Sequence, residues 1–244
     1  MGLINFKNVN IAVLSLCLLL GGCGDGAEGP KDTQVTQTPQ GLTDGAFKKQ
    51  EIGAYEEAVT LLDKALAVDP QFLPALYRMG AVYQEWDRRK EAIAAYLNVL
   101  AIDPKHQPAL LGLAAVYSKA HLNDLAAQEF IKVAELRPDD PEIHFKIALE
   151  YWYNQRLPET AAAYLKVIAI DPDHLQAHLN LASVYERMKK WEPAIAEIDI
   201  ALQLAEATGN TQEKSIAENK LKRLQGRVHM TEEEMLRKSQ PPFN

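Results

Sequence analysis

Residues 67–72, 101–106 and 169–174 read AVDPQF, AIDPKH and AIDPDH, and residues 135–140 read ELRPDD. The four prolines, Pro70, Pro104, Pro138 and Pro172, stand 34 residues apart. Proline removes a backbone donor and turns the residue before it away from helical torsions, so each stretch ends one helix and restarts the chain. Aligning on these prolines divides the chain into windows 39–72, 73–106, 107–140, 141–174 and 175–208. A unit recurring at this length is the mark of stacked repeats.

Residue size recurs with the same period. Position 8 of the windows holds Ala46, Gly80, Ala114, Ala148 and Ala182, and position 20 holds Ala58, Ala92, Ala126, Thr160 and Ala194. Small side chains there let two helices cross closely. Large ones at position 11 (Tyr83, Tyr117, Tyr151, Tyr185) and position 24 (Leu62, Tyr96, Phe130, Tyr164, Ile198) fill the space that remains. In the second window Leu76, Met79, Gly80 and Tyr83 follow the stripe of an amphipathic helix. Pro74, Pro108, Pro158 and Pro193 fall in expected first turns, where a missing N–H is harmless.

Over about 170 residues this pattern resembles the tetratricopeptide repeat family, a helix–turn–helix of 34 residues. The resemblance implies an all-α fold, a right-handed α-α superhelix (solenoid) of about five units with a C-terminal capping helix. Residues 42–208 form the array. Its edges depart from the pattern: Gly45 and Lys49 predict a frayed first helix, and Glu206 replaces the proline of the fifth window. Residues 209–228 are the expected cap, since Asn210 with Glu213 makes a capping box and Ile216, Ala217, Leu221 and Leu224 form an apolar stripe. Residues 229–244 read as a loose tail in which Thr231 and Glu234 repeat the capping signal.

Before the array, Lys7 and the apolar run Ile11–Leu20 have the form of a secretory signal, too short to span a bilayer. Leu20-Gly21-Gly22-Cys23 resembles the bacterial lipobox. That resemblance implies cleavage after residue 22, a diacylglycerol on Cys23 and acylation of the new N-terminus. A plain signal with an incidental cysteine and an uncleaved anchor are the alternatives. Cys17 would leave with the signal, so the exported chain has one thiol and no internal disulfide. Gly24 is not the Asp that holds lipoproteins at the inner membrane of enteric bacteria, which favours the outer membrane, facing the periplasm. Residues 23–41, rich in Gly, Thr, Gln and Pro, read as a flexible tether.

Loss of residues 1–22 changes the formal charge from −7 to −8, with 25 Lys plus Arg against 33 Asp plus Glu. Such a balance argues against nucleic acid as a partner. No phosphate loop, GxSxG, HExxH or paired CxxC is present, so no catalytic residue, cofactor or metal is expected. His174 and His178 could be drawn as a metal pair beside Asp171 and Asp173, but position 4 is a packing position and His144 shares it.

In the resembled family the first helices line the concave face. Positions 2, 5, 9, 12 and 13 would point there. They nominate Tyr77, Ala81, Gln84, Leu111, Ala115, Phe145, Leu149, Trp152, Tyr153, Leu179, Ser183 and Arg187, with Arg78 beside them, as a partner-binding groove. Packing of adjacent first helices would account for some of position 5, Leu111 and Leu179 above all. The Lys/Asn pair of carboxylate-clamp members is absent, its places being held by Tyr77 with Ala81 and Leu111 with Ala115. The expected role is a non-catalytic docking scaffold for a peptide or protein in envelope, pilus or secretion assembly. An accessory subunit of a cell-wall enzyme and a carrier of an apolar small molecule are the competing roles.

Overall fold

The computed structural model describes residues 37–228. The signal, Cys23, the tether as far as Thr36 and the tail with its Thr231–Glu234 capping signal lie outside the described residues. Among the described residues there are eleven helices and no strand. They are α1 Pro39–Glu51, α2 Tyr55–Val68, α3 Leu73–Glu85, α4 Arg89–Ile102, α5 Gln107–Lys119, α6 Asn123–Leu136, α7 Pro141–Tyr153, α8 Leu157–Ile170, α9 Leu175–Arg187, α10 Trp191–Ala207 and α11 Thr211–Val228. Each window is one antiparallel pair, and each second helix packs on the first helix of the next pair. The chain is an all-α solenoid of five such pairs closed by α11.

The turn inside each pair is set at one backbone position. Gly53, Asp87, His121, Gln155 and Lys189, spaced by 34, all have φ between 58° and 73°. The next residue's N–H reaches back to the carbonyl five before it, from Ala54 to Lys49, Arg88 to Tyr83, Leu122 to Tyr117, Arg156 to Tyr151 and Lys190 to Tyr185, at 2.8–2.9 Å. This closure ties off the first helix and reverses the chain. Between pairs, Asp69, Asp103 and Asp171 cap the second helix in extended torsions, and each carboxylate accepts from the N–H two residues on at 3.0–3.2 Å.

The first helix is complete rather than frayed, and it begins three residues before the expected array. Thr38 Oγ1 accepts from Gly41 N at 3.0 Å, Pro39 supplies a proline start, and Ala46 is fully buried beside α2. Gly45 weakens the helix locally, but it faces α2, where a Cβ would stand 3.4 Å from Leu61 Cδ1, and tertiary packing outweighs propensity. At the other end, Asn210 Oδ1 accepts from Glu213 N at 3.1 Å, and Ala217 and Leu224 bury against α9 and α10.

Tyr96 shows how tightly the units interlock. A Cβ at Gly80 would lie 2.6 Å from its ring and one at Gly112 only 2.4 Å, so the ring is held between two bare backbones. Its hydroxyl donates to Gln84 Oε1 at 2.9 Å. Gly112→Ala is therefore expected to destabilise the chain by about 1–3 kcal/mol through overpacking, read as a lower urea midpoint with unchanged slope. At the left-handed turn a non-glycine residue costs about 1–2 kcal/mol, against about 0.5–1 kcal/mol for glycine's extra freedom when unfolded. Gln155→Gly should consequently raise stability by up to about 1 kcal/mol, and Gly53→Ala should lower it comparably, in the same titration.

Candidate partner-binding groove

The first helices form one face, and three depressions lie along it. The central one, about 450 Å³, runs between α3 and α5 and is lined by Tyr77, Ala81, Gln84, Leu111 and Ala115, all expected from sequence. Tyr96 forms its floor, Gly112 its wall, and Arg137 its rim. With its amide oxygen turned toward that rim, Gln107 accepts from Arg137 Nε at 3.2 Å and Nη1 at 2.9 Å. A smaller depression of about 150 Å³ joins Leu149, Trp152 and Tyr153 to Asn180 and Ser183 over a floor of Tyr164. The third, about 430 Å³, brings Tyr77 and Arg78 against Gln40, Thr43 and Phe47 of α1.

Two aromatic triads underlie this face. Tyr77 packs on Tyr96 and His106 with centroids 6.0 and 5.5 Å away, and Phe145 packs on Tyr164 and His174 at 5.5 and 5.1 Å. Each member of the second triad is 68 residues, or two repeats, beyond its counterpart. His106 and His174 serve twice, since each Nδ1 also accepts from the N–H three residues on, at 3.2 Å. His174 is thus a helix cap and His178 a partner of Glu197. Among the described residues no group of three or more His, Cys, Asp or Glu is placed to hold a metal.

Cations lie across the aromatics. Arg78 stands 4.4 Å over Phe47, and Arg187 stands 4.8 Å over Trp152. Arg78 Nη1 also donates to Gln50 Oε1 at 3.4 Å. Tyr153 is 63% exposed and Trp152 half-buried, so both stay open to a ligand after the solenoid has formed.

One nominated residue is withdrawn from the open groove, and a second lines it with its hydroxyl already engaged. Leu179 is 2% exposed and packs in a cluster with Ala217 and Leu224 of α11. Ser183 is occupied: its hydroxyl donates to Leu179 O at 2.9 Å and accepts from Lys220 Nζ. Lys220 also reaches Leu179 O at 3.4 Å, and Arg223 pairs with Glu186 at 2.6 Å, so α11 covers the last first helix. Burial holds the Lys220 amine below its usual range. Phe145 is more a floor residue than a contact, because its ring is engaged with Tyr164 and His174.

The class defined by these elements is a tandem-repeat solenoid with an apolar and aromatic groove on its first helices. Residues 87–148, from the α3–α4 turn through most of α7, match the tetratricopeptide repeat family. Among solved structures, a crystal structure of MamA protein is 20% identical, with a TM-score of 0.62, covering 71% of this chain and 94% of that one. MamA 41-end from Desulfovibrio magneticus RS-1 is 21% identical, with a TM-score of 0.59 over 69% of this chain and 96% of that one. YrrB, described as a TPR protein with an unusual peptide-binding site, is 22% identical, with a TM-score of 0.62 over 78% and 98%. No curated protein matches the chain.

One buried acid lies beneath this face. Glu150 on α7 is 5% exposed, and its Oε2 finds no hydrogen-bond partner. Burial pushes its carboxyl above the ordinary value of 4.5, and a hydrogen bond with Ser118 of α5 offsets this only in part. A raised folded value means the folded chain holds the proton more tightly than the unfolded one. The resulting stabilisation is complete below pH 4.5 and is lost as pH rises through the folded value. Glu150→Gln removes this titration. Its stability relative to the parent should be greater at pH 7 than at pH 4, by urea unfolding at both.

Proposed function

We propose that the chain is a membrane-tethered, non-catalytic docking scaffold that binds an extended or helical peptide in the first-helix groove. The observation that carries this reading is the residual exposure of large apolar groups there. Tyr153 is 63% exposed and Phe47 41%, with Trp152 and Leu149 half-open beside them. Aromatics presented on a rigid wall, with cations over Phe47 and Trp152, suit apolar anchors of a partner. YrrB, a similar fold described as having an unusual peptide-binding site, supports the same use.

The tether belongs to the same proposal. Cleavage before Cys23 and its acylation would hold the array at the outer membrane, facing the periplasm, in envelope, pilus or secretion assembly. The lipobox-like Leu20–Cys23 supports this part of the reading. Labelled palmitate should enter the chain in a bacterial host and be lost in Cys23→Ser.

Groove binding is tested with peptides selected by display on the intact chain. Trp152→Ala with Tyr153→Ala should weaken the selected peptides by about 30-fold or more, as expected of buried aromatic anchors. Helicity should be retained, because Tyr153 is largely exposed and Trp152 only partly buried. Selected peptides indifferent to this pair would remove the groove from the reading.

A further inference from the structure

Away from the groove, α6, α7 and α8 enclose an open apolar cleft of about 440 Å³ that includes Ile131, Ala134, His144, Ile147 and Ala163. The next repeat explains why it is empty. Every lining residue has a counterpart 34 positions on, and two counterparts are larger: Ile168 for Ala134 and Glu197 for Ala163. At the position of Ala134 the other windows hold Leu66, Leu100, Ile168 and Leu202. The cleft is the volume that these two substitutions leave.

The same comparison separates two histidines at one repeat position. In repeat five, His178 Nε2–H donates to Pro172 O at 2.9 Å, and Nδ1 meets Glu197 Oε2 at 2.7 Å. Burial opposes charge on His178, but its hydrogen bonds to Glu197 and Pro172 O outweigh it and raise its pKa. In repeat four, His144 keeps the first bond, to Pro138 O at 2.9 Å. Ala163 stands where the carboxylate would be. A carbonyl can only accept, so Nε2 carries the proton, and Nδ1 of the neutral ring presents a lone pair.

Charge is redistributed in a matching way. Repeat five has one acid at the centre and Ala169 and Pro193 at the rim positions; repeat four has no acid at the centre and Glu135 and Glu159 at those rim positions. Glu159 is engaged by Arg156 at 2.8 Å, and Arg156 also covers the Tyr151 ring at 4.8 Å. Glu135 is exposed at the edge. The cleft thus offers one acceptor, His144 Nδ1, in an apolar hollow, with Glu135 as the acid at its rim that no cation engages. A carboxylate guest would meet repulsion, whereas a donor cation would be matched.

We propose that this cleft is a binding site for a small primary amine, an ammonium group carried on a compact apolar body. Ile131, Ala134, Ile147 and Ala163 receive the body. The head donates to His144 Nδ1 and is balanced by Glu135. The site is separate from the groove and does not depend on the docking reading.

The test uses the full chain purified in detergent, with methyl-labelled Ile and Ala, titrated with phenethylamine and separately with phenylacetate, a probe of similar shape and opposite charge. Saturable shifts at Ile131 and Ala163 with the amine, and none with the acid, are expected. Ala134→Ile and Ala163→Glu each restore the residue of repeat five, and each should weaken amine binding about tenfold or more with the helical spectrum intact. In Ala163→Glu, a protected Nδ1 proton should also appear on His144. Either variant suffices if the other fails to fold. Equal or tighter binding of phenylacetate, absence of saturable amine shifts, or amine affinity unchanged in the folded variants would each overturn the proposal.

Discussion

Everything in this solenoid depends on how closely two helices approach at the small-residue crossing. Ala46, Ala58, Ala92, Ala114, Ala126, Ala148, Thr160 and Ala194 are fully buried, because at that crossing no solvent remains. A short side chain at positions 8 and 20 brings the backbones together, and the ring at position 24 then passes over the crossing into the space before the next pair. Tyr96 does this between Gly80 and Gly112, and Tyr164 does it with its hydroxyl accepting from Asn180 Nδ2 at 3.0 Å. The large residue that seals one repeat is therefore also the floor on which the groove rests. Packing and binding surface are fixed by one geometry, which is why two of the three depressions of the groove are floored by core tyrosines.

That coupling explains what was legible in the sequence. The period of the prolines, the small–large alternation and the capping box reached the fold directly, since each is a property of a single repeat. The open groove residues Tyr77, Ala81, Gln84, Leu111, Ala115, Leu149, Trp152 and Tyr153 were legible for the same reason: a helical wheel places them. Contacts between repeats are less accessible to such reading. Leu179 has a groove position by register, yet α11 lies over it, and a cap is the one element with no earlier window to compare. Arg137 was missed because it reaches the groove from beyond the first helices, at the end of α6, and Gly112 because its position on α5 is turned to Tyr96 of the preceding pair. The 68-residue spacing of Tyr77, Tyr96 and His106 with Phe145, Tyr164 and His174 was a usable signal, visible only when windows are compared two apart.

The first helix illustrates a different limit. Gly45 and Lys49 lower its intrinsic helicity, but a helix in a stacked array is held mainly by its neighbours. Thr38 and Pro39 supply a start signal that the low-complexity segment before it concealed, and α2 supplies the apolar cover. Lys49 departs from the tyrosine of its position and pairs instead with Glu57 at 2.6 Å. Local propensity was a poor guide there because most of the stabilisation is tertiary.

Repetition also makes departures informative. Where five units share a template, a residue that breaks it without a structural return marks a place for something else. Ala134 breaks it where every other window holds Leu or Ile, and Ala163, a residue shared at its position only by Ala95, adjoins it on α8, so volume is missing from one spot. A single truncation would leave a void that neighbouring side chains partly fill; two, with an imidazole nitrogen facing the gap and acids moved to its rim, keep a hollow open at a cost in packing. The first-helix face shows the opposite economy, its bulk added where the fold does not need it. The two surfaces therefore diverged from the template by opposite means, excess apolar area on one and missing volume on the other, and either could change without disturbing the crossing that holds the repeats together.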